Sequence, residues 1–190
     1  MAELSDYSGK FLHGVVFEDF SSDTRLKLMK LYCRIYLGYI GMVDTVLKQY
    51  VSAELAAKIE TDIYNKTMQM IEAPGVTKLM NIQGNDVITM IKLMQMVPEG
   101  ARADMYGSEY DVKNNNHVIW TVKNCPSLNF WEKKGDKKAI EACCSVGGIE
   151  EETMKVVAGC INPDIKIKAL KLPPRKSKDE IACQWELKIE

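Results

Sequence analysis

The residues of this chain with the most evident chemical potential are its cysteines. Five of the six lie in the C-terminal half, at Cys125, Cys143, Cys144, Cys160 and Cys183. A cysteine thiolate can bind a soft metal or act as a nucleophile. No two of them have the C-x-x-C spacing that marks a zinc site, so three uses stay open: structural thiols, metal ligands or a reactive thiol. Cys143 and Cys144 project about 100° apart on a helix, so we expect only one of them to face a shared site.

Three of these thiols fall where predicted elements begin or end, so the fold can gather them. Cys125 follows a predicted strand, Cys144 ends a predicted helix and Cys183 lies in the last predicted strand. These three are the expected ligands if the protein holds zinc or another thiolate-bound metal. In the alternative, Cys183 or Cys125 is a nucleophile and an acid such as Asp164 is its partner. The chain has no G-x-S-x-G, P-loop or dinucleotide G-x-G-x-x-G motif that would name a reaction.

Aromatic side chains indicate a second kind of site. Trp120 and Trp185 lie in predicted strands, and Tyr39 and Met42 lie on the apolar stripe of a long predicted helix. Ligand pockets are mainly apolar with a few polar groups. We therefore predict a cavity between the sheet and this helix, walled by these four residues and with the cysteines at its polar corner. Ordinary core packing is the alternative.

The C-terminal half predicts two pairs of strands. Residues 181–189 alternate between apolar and polar side chains, which is the period of a half-buried strand, and residues 165–168 alternate in the same way. Residues 101–112 and 117–124 predict a hairpin across an asparagine-rich turn. Short helices are expected between the two pairs. The basic run around Arg175 is typical of a solvated loop.

The N-terminal half predicts helices. Apolar residues three or four apart indicate a long helix over about 22–50, with a stripe formed by Leu28, Tyr32, Ile35, Tyr39, Met42, Val46 and Tyr50. So broad a stripe predicts a central helix that is contacted on several sides, and a dimer face is the alternative. A second helix from Ser52 should break at Ala73-Pro74-Gly75, and a third begins near Asn85. The fold class is therefore α+β: an antiparallel sheet of about four strands, in the order ββ–αα–ββ, packed against three N-terminal helices.

Length, composition and charge restrict the class of protein. The chain has 190 residues, of which 46% are hydrophobic and 27% charged, and it suits a single domain with a mainly helical part, 1–97, and an α+β part, 101–190. A formal net charge of −1 argues against nucleic-acid binding. No apolar run reaches the roughly 18 residues that a membrane span needs. The polar N-terminus does not resemble a signal peptide, so we expect a cytoplasmic protein with reduced thiols.

Several short stretches carry a resemblance to a known group. They are Gly41-Met42-Val43, Ile59-Glu60-Thr61-Asp62-Ile63-Tyr64, Asn124-Cys125, Cys144 with Gly147, Ile161-Asn162-Pro163-Asp164-Ile165, and the ending Pro173-Pro174 with Ile181-Ala182-Cys183-Gln184-Trp185-Glu186-Leu187. On these stretches the chain resembles an uncharacterised family of small cytosolic proteins near the aminothiazoline-carboxylate hydrolase-like group. More distantly, a cysteine before an aromatic residue in the last strand is similar to the vinyl-reductase-type small-molecule-binding domain.

This resemblance implies an antiparallel sheet curved against helices, with a ligand cavity between them. One departure concerns the metal: Ala169-Leu170 stands where a further cysteine is expected, which leaves Cys125, Cys144 and Cys183 as three ligands at most. No histidine matches the position that haem ligation would require.

Three hypotheses of function follow. The first is a cytosolic module that binds a small apolar or aromatic molecule, with a cysteine-lined corner able to hold a metal. The second is a cysteine-dependent hydrolase that acts on a C–N or C–S bond of a small heterocyclic substrate. The third is a protein that pairs with itself or another subunit through the stripe of residues 28–50, as a homodimer would.

Overall fold

The structure is a computed structural model that describes residues 3–10, 12–98, 100 and 106–190, apart from the side chain of Asp44. It is an α+β protein with a four-stranded antiparallel sheet, which confirms the predicted fold class. Residues 101–105 of the predicted first strand lie outside the described residues. Among the residues that are described, no helix combines the length and the apolar character that crossing a membrane would require.

The sheet consists of two antiparallel pairs that meet at its centre. The strands are β1 (Ser108–Asn114), β2 (His117–Val122), β3 (Lys166–Lys171) and β4 (Cys183–Lys188), in the spatial order β1-β2-β4-β3. The central contact pairs β2 with β4 and places Trp120 directly opposite Trp185. The predicted alternation is confirmed there, because Val118, Trp120 and Val122 are buried while the residues between them are partly exposed.

The helices differ in part from those expected. They are α1 (Ser22–Leu47), α2 (Ala53–Thr67), a π-helical segment (Met68–Glu72), α3 (Ala73–Leu79), α4 (Val87–Met96), α5 (Pro126–Lys134), α6 (Lys137–Cys144) and α7 (Ile149–Ile161). Three helices rather than two therefore separate the strand pairs. The predicted break at Ala73-Pro74-Gly75 is wrong, because the wide π turn precedes Pro74 and leaves it in the first turn of α3, where a missing N–H is tolerated.

One face of the sheet packs against helices, and this contact is the core. Helix α4 contacts β2, and α7 contacts both β3 and α4. The fully buried side chains include Trp185 and Leu187 from the sheet with Met90 and Leu93 from α4. These two helices come from opposite halves of the sequence and contact each other across the core.

Helix α1 is peripheral, so the prediction of a central helix is wrong. It packs against α2, and none of its described side chains is fully buried. The hydroxyl of Tyr36 donates a hydrogen bond to the Glu72 carboxylate and so ties α1 to the π-helical segment. Its apolar stripe therefore faces largely away from the core.

Candidate functional site

Two cysteines meet where the central strands end. Cys183 opens β4 and lies opposite Val122, the last residue of β2. Cys125 follows Val122 by three residues and is the N-cap of α5, where its Sγ accepts a hydrogen bond from the Leu128 N–H at 3.5 Å. The sequence places them together because the strand pairing brings Cys183 back to the point where the chain leaves the sheet.

The other two cysteines reach this place through a glycine-containing turn. Helix α6 ends at Cys144, and α7 begins five residues later. A Cβ at Gly148 would lie 2.8 Å from the Cys143 carbonyl oxygen and 2.9 Å from two other carbonyl oxygens, so only glycine fits without a shift of the backbone. This close approach sets Glu150, in the first turn of α7, beside the cysteines. We call Cys125, Cys143, Cys144, Cys183 and Glu150 the thiol corner.

Members of the thiol corner influence one another's ionisation. Burial raises the pKa of Cys125 to about 11, and the nearby Glu150 carboxyl and the Cys144 thiol add to this rise. Burial also raises the pKa of Cys183, with Glu150 again adding, although the Trp185 indole N–H opposes the rise by donating to its Sγ at 3.2 Å. Burial raises the pKa of the Glu150 carboxyl as well. Cys125 and Cys183 are therefore neutral thiols at pH 7.

Cys144 is the exception. The hydrogen bond between Cys143 and Cys144 raises the pKa of the first thiol and lowers that of the second. Both cysteines lie in the last turn of α6, and the prediction that only one of them faces a shared site stays a prediction. Cys144 is the thiol of the corner that ionises most readily, and all four thiols remain partly exposed.

The thiol corner is not arranged as a metal centre. Zinc sites need ligand atoms within about 2.3 Å of one ion. In the part of the chain that the structure describes, no three His, Cys, Asp or Glu side chains are grouped closely enough to hold a metal ion. The expected ligands are Cys125, Cys144 and Cys183. Cys144 raises the pKa values of the other two electrostatically, and this effect acts at distances longer than those of a shared metal ion.

The predicted aromatic wall is divided between two places. Trp120 and Trp185 are neighbours in the buried core, and the Trp120 indole N–H has no hydrogen-bond partner among the described residues. Tyr39 and Met42 expose 68% and 58% of their surface on α1 and do not belong to the core that contains the tryptophans. The structure therefore brings the two tryptophans to Cys183 but does not bring Tyr39 or Met42 there.

Asp164, the expected acid partner, lies elsewhere. It is exposed in the turn before β3, two residues ahead of Lys166. Lys166 pairs with Lys188, at the opposite end of β4 from Cys183. Glu150 is a carboxyl that the fold brings near the thiols, and its position in a run of three glutamates does not distinguish it in the sequence.

Sequence reasoning also missed a buried ion pair beside the thiol corner. Arg175 exposes 2% of its side chain, so the expectation of a solvated basic loop is wrong at this residue. Its guanidinium donates to Glu132 through Nε at 2.9 Å and Nη2 at 2.7 Å, and Nη2 also donates to Asn129. Both acceptors lie on α5, which Cys125 caps. The pair therefore fastens the connection before Cys183 to the helix after Cys125.

Surface hollows are found at the other end of the sheet. One, of about 630 Å³, is lined by Asn114, Asn115, Asn116, His117, Lys188 and Ile189. A second lies on the outer face between charged side chains of β3 and β4. Neither contains a cysteine or a tryptophan, so their lining provides none of the chemistry that the thiol corner offers.

Comparisons with known proteins give a family without an assigned role. The model of a family of unknown function, DUF6125, matches residues 18–189. The chain belongs to this family. No curated protein and no solved structure matches it. The DUF6125 match names neither the aminothiazoline-carboxylate hydrolase-like group nor the vinyl-reductase-type domain, and the functional argument therefore depends on the residues themselves.

Proposed function

We propose that this DUF6125 member is a small-molecule-binding protein whose binding site is the thiol corner. The observation that carries the proposal is the convergence of four thiols and the Glu150 carboxyl from β4, α5, α6 and α7, which are separate in sequence. Structural thiols alone do not require such a gathering, since an isolated buried cysteine packs as well as a clustered one. All six cysteines are free, which suits a reducing cytosol.

The ionisation of the corner favours an uncharged, largely apolar or aromatic ligand. Cys125 and Cys183 hold their protons at neutral pH, and Glu150 has a raised pKa. A lining of neutral thiols beside an indole is weakly polar, which is typical of pockets for small organic molecules. The Trp120 N–H, which lies next to Trp185 and has no partner within the described residues, offers one donor to a ligand acceptor.

Thermal stability under ligand screening tests this proposal. A ligand that binds only the folded protein raises its melting temperature, so small aromatic heterocycles are screened against the reduced protein. We expect a compound that stabilises the wild type and Cys33→Ser, but not Cys144→Ser or Cys183→Ser. Cys33 is the matched control because it is a partly exposed free thiol on α1, outside the corner.

Protection of individual thiols gives the second readout. The bound compound should slow alkylation of Cys125, Cys144 and Cys183, located by mass spectrometry, and leave the rate at Cys33 unchanged. Equal protection at Cys33, or stabilisation that survives both corner substitutions, would contradict a site at the thiol corner. Zinc added alone to reduced protein is the comparison for a metal, since thiolate ligation releases protons that an organic ligand leaves in place.

A cysteine-dependent hydrolase is the second proposal, and the lowered pKa of Cys144 favours it. The Cys144 thiolate would attack the carbon of a C–N or C–S bond, and Glu150, whose pKa burial raises, would protonate the leaving nitrogen or sulfur. Water would then cleave the bond between that carbon and Cys144 and return the proton to Glu150. The resemblance to the aminothiazoline-carboxylate hydrolase-like group is consistent with this chemistry.

Labelling as a function of pH separates the two proposals. A nucleophilic Cys144 should react with iodoacetamide well below pH 8, earlier than Cys125 and Cys183. Glu150→Gln should alter the pH profile of turnover while leaving the initial alkylation of Cys144 in place. Uniform, slow labelling of all corner thiols below pH 8 would refute the hydrolase.

A further inference from the structure

Helix α1 presents an apolar seam to solvent. The seam consists of Leu28, Tyr32, Ile35, Tyr39, Met42 and Val46, whose spacing alternates strictly between four and three residues. This alternation is the repeat by which two helices pack along a common line. From Tyr32 onward, each of its side chains exposes 42% or more of its surface. The seam is therefore patterned for a partner helix, and the described part of the chain does not supply one.

The exposed area of the chain is large enough for a partner. The solvent-accessible surface is 12,165 Å², whereas a folded monomer of 21.5 kDa is expected to expose about 9,200 Å². A stable protein interface buries about 800 Å² on each partner. The exposed area above the monomer expectation is larger than the area that a stable interface buries on one partner. The exposed seam is a continuous apolar part of this area.

One glycine marks where a second backbone can approach. Gly38 is exposed on α1 at the edge of the seam, and a Cβ there would meet nothing within 4 Å. A glycine inside a helix lowers helix stability, and no contact among the described residues requires this one. A close helix contact gives Gly38 a role, since the distance between packed helices depends on the side chains at the crossing.

We propose that α1 is the dimer interface and that two copies pair in antiparallel orientation about a two-fold axis near Leu37. With the axis there, Leu28 meets Val46 of the second copy. Tyr32 and Ile35 meet Met42 and Tyr39 of the second copy in the same way. Each of the six seam residues thus gains a partner, and Gly38 lies beside the axis. A two-fold interface must be self-complementary in this manner.

Charge and side-chain size select the antiparallel arrangement. All four cations of α1, Arg25, Lys27, Lys30 and Arg34, lie in its first half, and residues 35–43 carry no charge. A parallel pair would set the two basic halves side by side, whereas an antiparallel pair places them at opposite ends. A parallel pair would also set Tyr32 and Tyr39 against their own copies, while the antiparallel pair matches each tyrosine with an aliphatic side chain.

Sedimentation equilibrium on the full chain tests the interface. The wild type should have twice the mass of one chain at micromolar concentration. Ile35→Glu should raise the dissociation constant at least about 100-fold, because the symmetry buries two carboxylates in each dimer. Val112→Glu is the matched control: Val112 is 52% exposed on β1, and Ile35 is 56% exposed, so both changes are tolerated alike by a single chain.

Gly38→Leu separates the interface from helix stability. Leucine favours the helix more than glycine does, so α1 should gain helicity while its side chain blocks the crossing and weakens the dimer. The orientation is tested by disulfide formation in a Cys33→Ser background. A mixture of Tyr32→Cys and Met42→Cys chains should cross-link, and Tyr32→Cys alone should not.

Four results would overturn the proposal. They are a monomeric wild type at tens of micromolar, a dimer that Ile35→Glu leaves intact, a dimer that Gly38→Leu fails to weaken, and efficient cross-linking of Tyr32→Cys with itself. A monomer that sediments with anionic phospholipid vesicles would assign the seam to a lipid surface instead.

Discussion

Arg175 anchors the connection between β3 and β4, and its loss should destabilise the protein by an amount that the geometry sets. Removing one partner of a fully buried ion pair costs about 3–5 kcal/mol, because the other charge remains buried and unpaired. Glu132, however, exposes 24% of its side chain, so water can partly solvate it once the guanidinium is gone. We therefore expect Arg175→Ala to lower the free energy of unfolding by about 2–3 kcal/mol. Arg175→Lys keeps the charge but loses the two-pronged contact, and should cost about half as much.

Urea titration monitored by tryptophan fluorescence measures these differences, since urea leaves charge interactions unscreened. Lys176→Ala is the matched control, because Lys176 is an exposed cation in the same loop and its loss should change stability by less than about 0.5 kcal/mol. A double-mutant cycle with Glu132→Gln isolates the interaction between the two side chains. A coupling energy below about 0.5 kcal/mol would refute the reasoning, since that is the value of an exposed ion pair.

The same pair gives a signature in pH. The hydrogen bond from Arg175 holds the pKa of Glu132 below its ordinary value of 4.5. A carboxyl whose pKa is lower in the folded state stabilises the protein above the unfolded value, and this contribution is lost as the pH falls through the folded value. The stability difference between wild type and Arg175→Ala should therefore narrow below pH 4.5. A difference that stays constant down to acid unfolding would mean that the ion pair is not its source.

Two further predictions concern single positions. Gly148→Ala should destabilise the protein by about 1–3 kcal/mol, because its Cβ would lie within 2.9 Å of three carbonyl oxygens. The control is Gly159→Ala, later in α7, where a Cβ would meet nothing within 4 Å. This change should stabilise the protein by about 1 kcal/mol in the same urea titration, because alanine favours a helix more than glycine does. Burial raises the pKa of Glu72 above 4.5 although Tyr36 donates to it, so the contribution of Glu72 to stability should be lost as the pH rises from 4.5 through the folded value. Glu72→Gln should remove that loss and be more stable than the wild type near pH 8 by about 1 kcal/mol. Equal slopes of stability against pH for the two proteins would contradict this prediction.

The sheet could be predicted from sequence because its signal is local. Alternation along 117–122 and 183–187 determines which side chains face the core, and the structure confirms it at Trp120 and Trp185. The alternation predicted from residue 181 holds only from Cys183 onward, because Ala182 lies before β4 and is buried. Helix starts were equally local: Ser52 and Asp136 each accept a hydrogen bond from the backbone N–H three residues on. Features that depend on residues two to four positions apart can therefore be predicted from the sequence.

The candidate site could be predicted only in part, since it depends on contacts between distant residues. Cys125, Cys144 and Cys183 were identified as a set because each ends or begins an element. Glu150 and Arg175 were missed, because a carboxyl in an acidic helix start and a cation in a basic loop both look solvated. Arg175 is buried by Glu132, 43 residues away, and no spacing rule connects them.

The position of α1 could not be predicted, because a broad apolar stripe has two equally good explanations. Burial against the same chain and burial against a second chain require the same residue types at the same spacing. Which of the two explanations applies depends on whether other elements of the same chain pack against the stripe. Here α4 and α7 already cover the buried face of the sheet, and the main contacts of α1 are its packing against α2 and the hydrogen bond between Tyr36 and Glu72.

The separation of α1 from the core makes the two main proposals independent. The thiol corner is built by β4, α5, α6 and α7, while the seam lies on a helix with no fully buried described side chain. Ile35→Glu should therefore produce a monomer whose Cys144 and Cys183 are alkylated at wild-type rates. Cys144→Ser should lose ligand binding and keep the mass of the dimer. If disrupting the dimer also changed the reactivity of Cys144, the seam and the corner would be coupled, and the ligand site would have to include the second copy.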